Sequence, residues 1–247
     1  MLWGVQGLNG MLRNFVFLLR FDKRYIVSVP RNEQVDRAIS FLGKLGSLSP
    51  LMRNWYLQSR SIKDALSKNV VLAPDFLKMK VEDNYDPRFP DLLEFSVWNG
   101  EEDLLKGGVA FHYSAHNMNS VSAMRFEDAG ALLAASPNAR SVFVEIIKLA
   151  VNTWPEIDWV SIAPAAYYQS GKVFKDRQTI GWIGYCPQEL TKEMLPEAED
   201  LISIPERGTI VVTCPGVMDE KDKEHYERVG DIDTKLVELG YLPMFNS

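Results

Sequence analysis

The sequence predicts an α+β protein: a mixed, largely antiparallel sheet with three to four packed helices. Two observations carry that expectation. Short runs rich in aromatic and β-branched residues recur along the chain, and stretches with apolar residues at helical spacing interrupt them without a regular strand–helix alternation. A third bounds the domain count. The 247 residues contain no internal repeat and no linker long enough to separate two domains. A single domain over residues 14–247, preceded by an N-terminal extension over residues 1–13, is therefore expected.

Phe15 to Leu19 and Tyr25 to Val29 read as a strand pair joined at Asp22-Lys23. Val35, Ile39, Leu42 and Leu45 then mark an amphipathic helix over 33–46, with Gly46 as its C-terminal cap. A short helix starts at Ser61, whose hydroxyl can accept from the first turn. Residues 81–91, rich in Pro and Asp, read as a surface loop. Leu93 to Trp98, Val109 to Tyr113 and Ser120 to Phe126 are three further strands. Ser136-Pro137 reads as a helix start, and Phe143, Ile147, Ala150 and Trp154 mark one face of that helix before Pro155 stops it. Asp158 to Ile162, Ile180 to Tyr185, Leu201 to Ile204 and Thr209 to Cys214 complete the strands. Asp219 opens a last helix, ended by Gly240 and Pro243.

Composition excludes several classes. With 46% hydrophobic and 24% charged residues, the chain is neither disordered nor fibrous. Its net charge of −6 argues against nucleic acid as a direct ligand, because phosphates need a basic face. No apolar run reaches the ~18–20 residues that cross a bilayer, so no membrane partner and a cytoplasmic address are expected. Cys186 and Cys214 are read as reduced, buried thiols. The charge is unevenly placed: residues 1–60 carry nine Lys/Arg and three Asp/Glu, whereas residues 188–247 carry six and fourteen. The second stretch is thus net −8 and suits a basic partner.

Catalytic motifs are sparse. His112 and His116 stand four apart, but the Glu that a metalloprotease helix places beside its first His is missing. A three-histidine zinc site would need the distant His225. No G-x-S-x-G, G-x-G-x-x-G or P-loop pattern occurs, and no metal or cofactor is expected. A metal-dependent nuclease is the alternative: Asp75 or Asp91 near a strand end, with Asp219 and Lys221 from Asp219-Glu220-Lys221, could hold a cation and activate water. Trp55, Trp98, Trp159 and Trp182 lie in strand-like runs and read as core. Asp176-Arg177 beside Gly181-Trp182 reads as a clamp, with the guanidinium on carbonyls or a carboxylate.

Trp55-Tyr56-Leu57 with Ser61, then Asp158-Trp159-Val160, Asp176-Arg177, Gly181-Trp182-Ile183-Gly184-Tyr185 and the Gly208 to Thr213 strand resemble the bacterial immunity protein 52 family over roughly residues 14–243. The resemblance implies a non-catalytic α+β protein that neutralises a cognate polymorphic toxin. Such toxins often carry a restriction-endonuclease-like DNase domain, and some are delivered by type VI secretion. It marks Trp55, Asp176, Arg177, Gly181 and Trp182 as structural positions. The toxin interface is then expected in the acidic runs Glu197, Glu199, Asp200 and Asp219, Glu220, Asp222, Glu224, which adjoin turns and remain solvated.

Overall fold

The computed structural model describes residues 14–136 and 138–245. The predicted extension over 1–13, and Pro137 of the predicted helix start, lie outside the described residues. The strands are β1 (Phe15–Phe21), β2 (Tyr56–Leu57), β3 (Leu93–Trp98), β4 (Ala110–Ala115), β5 (Ala123–Glu127), β6 (Ile157–Pro164), β7 (Ile183–Cys186), β8 (Asp200–Ile204) and β9 (Gly208–Val212). The helices are α1 (Lys23–Ile26), α2 (Arg31–Leu48), α3 (Ile62–Leu66), α4 (Asp75–Asp83), α5 (Ala129–Ala135), α6 (Ala139–Thr153) and α7 (Lys223–Glu238). The strands form one antiparallel sheet in the order β2-β3-β4-β5-β1-β6-β7-β9-β8. The fold is α+β, as the interrupted strand pattern predicts.

β1 is the middle strand, and its alternation sets the two faces. Phe17 meets the Phe143 ring at 5.2 Å and Phe21 meets Trp154 at 6.3 Å, so the odd positions face α2 and α6. Phe41 of α2 adds contacts to Phe111, Phe126 and Trp154. This aromatic layer between helices and sheet is the main core. Trp55 joins it fully buried, donating Nε1–H to the Met52 carbonyl at 3.0 Å. Trp182 is equally buried against Phe15 and Phe143. Cys186 and Cys214 are buried free thiols.

Several elements differ from the sequence pattern for physical reasons. Tyr25 to Val29 is not a strand. The Asp22 carboxylate accepts from the Arg24 backbone N–H and caps one helical turn, while β1 pairs instead with the distant β5 and β6. Gly46 does not end α2. The helix runs on to Leu48, and a Cβ at Gly46 would lie 3.0 Å from the Arg53 Cα, so the glycine admits a close backbone approach. The predicted 81–91 loop starts late, because residues 81–83 form the last turn of α4, whose Leu77 and Val81 turn inward. Ser136 does not cap α6. It closes α5, an Ala-rich helix with no clear periodic signal, and Asn138 precedes α6 without a side-chain cap bond. The last helix begins at Lys223, with Asp222 accepting from the Glu224 N–H, rather than at Asp219.

The second face of the sheet is covered over half its width. The registers align Glu94, Ser114, Ala123, Arg20 and Trp159 in one row across β3, β4, β5, β1 and β6. They align Ser96, His112, Arg125, Leu18 and Ser161 in the next. α7 covers the β6–β7 end: Asp233 bonds Thr179 and Ile180, and Trp159 donates to the Thr179 carbonyl. The β3–β4–β5 end carries no helix on this face among the described residues.

Trp182→Ala is expected to cost about 3–5 kcal/mol, because the emptied volume lies between β1, β7 and α6 and collapses poorly. Urea unfolding of the variant against the parent checks this, and a loss below about 1 kcal/mol contradicts it.

Candidate functional site

The two acidic runs expected at an interface are partly brought together. Glu197 and Glu199 precede β8, and Glu224 sits in the first turn of α7. Together with Glu227 and Asp231 they line a cleft of about 510 Å³, opposed by Lys192 and Arg228. Lys192 is occupied, donating to the carbonyls of Pro196 and Ala198. Arg228 stands 3.9 Å from Glu199. Glu227 also pairs with Lys223 at 3.0 Å, so five carboxylates against three cations leave the cleft negative. Asp200 takes no part, since it turns to Arg140 at 3.2 Å. Asp219, Glu220 and Asp222 lie in the turn before α7, where Asp219 accepts from the Lys221 N–H and Asp222 caps the helix.

The residues of the nuclease alternative are not assembled. Asp75 opens α4, and Asp91, bonded by Asn117 at 2.6 Å, sits just before β3. Asp219 and Lys221 follow β9. β3 and β9 are six positions apart in the sheet, roughly 29 Å at about 4.8 Å per strand. The histidines are equally scattered. His112 Nδ1 bonds Ser96 Oγ at 2.8 Å, His116 Nε2 meets Ser120 Oγ at 3.3 Å, and His225 accepts from the Asp219 N–H. Burial pushes both His112 and His116 below the usual imidazole range. Among the described residues, no three His, Cys, Asp or Glu side chains group closely enough to hold a metal, and no helix is long and apolar enough to cross a membrane.

Asp176 and Arg177 build a seam between the chain before β7 and the segment after α7, while Gly181 and Trp182 lie against β6, where the Trp182 N–H donates to the Ile162 carbonyl. Arg177 donates to the Leu242 carbonyl at 2.7 Å, and the Asp176 carbonyl accepts from the Phe245 N–H at 2.8 Å. Gly181 has φ +67°, and a Cβ there would fall 2.5 Å from the Ile162 carbonyl oxygen, so only glycine fits. The family profile of immunity protein 52 matches residues 27–244. The chain belongs to the immunity protein 52 family. Membership implies a cognate toxin as partner. No curated protein matches the chain.

Sequence reasoning missed two features that bear on the immunity reading. The first is Asp233, completely buried on α7, where it accepts from Thr179 Oγ1 at 2.6 Å and the Ile180 N–H at 2.8 Å. Burial pushes its carboxyl up to about 7, against the pull of those two bonds and of Lys172. Its signal in the sequence is only an Asp on the inward face of an amphipathic helix. The second is a run of outward apolar side chains: Ile62, Leu66, Leu72, Phe76, Met79, Tyr85 and Phe89 are all exposed.

A carboxyl raised in the folded state contributes stability that is complete below its unfolded value, 3.8, and is lost as pH rises to about 7. Asp233→Asn stays neutral throughout. The parent should therefore lose stability relative to this variant between about pH 4 and about pH 7. Urea unfolding of both proteins across that range checks it, and parallel curves contradict it.

Proposed function

We propose that this immunity protein 52 family member is a non-catalytic inhibitor that binds and neutralises a DNase toxin of the restriction-endonuclease-like class. The observation that carries the reading is the acidic cleft between the Glu197–Glu199 turn and α7, in a family that implies a toxin partner. A DNase must offer DNA a basic groove. An acidic partner gains steering toward that groove and competes with the phosphates for it. A polymorphic toxin delivered by type VI secretion attacks DNA in the cytoplasm, so the inhibitor acts there. The separation of Asp75 and Asp91 from Asp219 and Lys221 weighs against a nuclease activity of the chain itself.

The decisive experiment co-expresses the protein with the toxin encoded beside its gene and follows growth, with a pull-down of the purified pair. Rescue and capture support the reading, and growth arrest without capture overturns it. Exposed charges act mainly on encounter and are screened over ~8 Å at physiological salt. Glu197→Lys, Glu199→Lys and Glu224→Lys combined should therefore slow association and flatten its salt dependence, with melting temperature nearly unchanged. Reversing the exposed Lys63 and Lys80 should leave the rate as it is. Stopped-flow association at low and high salt checks both.

A further inference from the structure

The end of the second sheet face that no helix covers among the described residues holds a cleft that the acidic α7 cleft does not reach. It measures about 720 Å³. Its floor is apolar and shallow-sided: Val16 and Leu18 of β1 and Ala123 of β5, beside Ser114 of β4. Small side chains at Ser114 and Ala123, directly paired in the register, make the depression. One wall is aromatic, formed by Tyr168 and Phe245, which stand 6.5 Å apart. Glu94, Glu127 and Asp128 lie around the cleft against the single Arg125, and all four are exposed.

The balance of charge is negative, and its neighbours do not reverse it. His116, also lining the cleft, is held toward its neutral form by burial. Lys172 does not line the cleft. Its ammonium sits 5.1 Å from the Tyr168 ring centre and 5.0 Å from that of Phe245, with one bond to the Arg177 carbonyl. Counting it, three carboxylates still face two cations. Glu94 is oriented by Ser114 Oγ at 2.7 Å, while Glu127 has no ion pair among the described residues. An apolar floor with a carboxylate rim suits a Lys or Arg side chain, whose alkyl stem packs below while its head meets the acids.

We infer that this cleft is a second docking point for the toxin and takes a basic side chain on a protruding loop of that protein. The inference rests on the immunity reading and adds a site to it. Binding through two separated acidic surfaces would let the inhibitor straddle the toxin's basic face.

The test measures affinity for the toxin encoded beside this gene, using the full chain. Glu94→Lys with Glu127→Lys should weaken binding about tenfold or more, and Val16→Trp, which fills the floor, should weaken it without changing net charge. Glu94→Gln with Glu127→Gln serves if the reversal variant unfolds, and should weaken binding in the same direction. Unchanged affinity in the folded cleft variants, with the parent bound tightly, overturns the cleft and leaves the immunity reading intact. A parent that neither binds nor protects overturns the immunity reading itself. A parent that is dimeric, and that the reversal splits into monomers, assigns the cleft to a second copy and overturns the inference as well.

Discussion

A guanidinium in the middle strand of the sheet constrains much of this molecule. Arg20 of β1 is 4% exposed, and a charge so placed must be matched or it costs several kcal/mol. It is matched from two directions. Asp158 of β6 accepts two bonds, at 2.8 and 2.6 Å, and the Met244 carbonyl accepts a third at 2.7 Å. Burial pushes the Asp158 carboxyl up while the Arg20 bonds pull it down, so the pair holds because its geometry is bidentate. Satisfying Arg20 thus brings the segment after α7 across the sheet to its centre.

That crossing organises the second face. Once Met244 is held at Arg20, residues 242–245 run beside 176–178, joined through Arg177, Gln178 and Asp176. Asp176 and Arg177 belong to this seam, whereas Gly181 and Trp182, a few residues on, turn to β6 and to Phe15 and Phe143. The same seam places Tyr168 and Phe245 as a wall, beyond which no helix among the described residues covers the sheet. Tyr168 and Phe245 thus bound the cleft on the second face, and α7 is held against the Thr179–Ile180 segment before β7 by Asp233. The acidic surface of α7 is carried on that anchored helix, so its charges are presented on a fixed element rather than on a free tail.

Much of the secondary structure was legible locally. The strands at Phe15, Leu93, Asp158 and Thr209, and the helices ending at Trp154 and Leu239, follow from apolar periodicity and their stop residues. Tyr25 to Val29 was not, because its β-branched composition matches a strand while the Asp22 cap and the pairing of β1 with remote β5 and β6 select a helical turn. α5 was hidden because an Ala-rich helix has no polar face to mark its period. The acidic cleft was legible only in part. Charge counting located Glu197, Glu199 and Glu224, but nothing local distinguishes them from Asp200, which turns to Arg140.

By itself the sequence determined the class of elements, the burial of Trp55, Trp159 and Trp182 (Trp98, also read as core, is only half-buried), the acidic C-terminal third and the motifs of the immunity protein 52 family, because composition, periodicity and short spacings are local quantities. Only the tertiary structure decided which carboxylates share a cleft, that Asp75 and Asp91 lie far across the sheet from Asp219, and that no helix among the described residues covers half of one sheet face. Those outcomes depend on strand order and on contacts such as Arg20 with Met244, which are 224 residues apart. No local pattern encodes a pairing at that separation. It is settled by the cost of leaving a buried charge unmatched and by the side chains that happen to meet when the sheet closes.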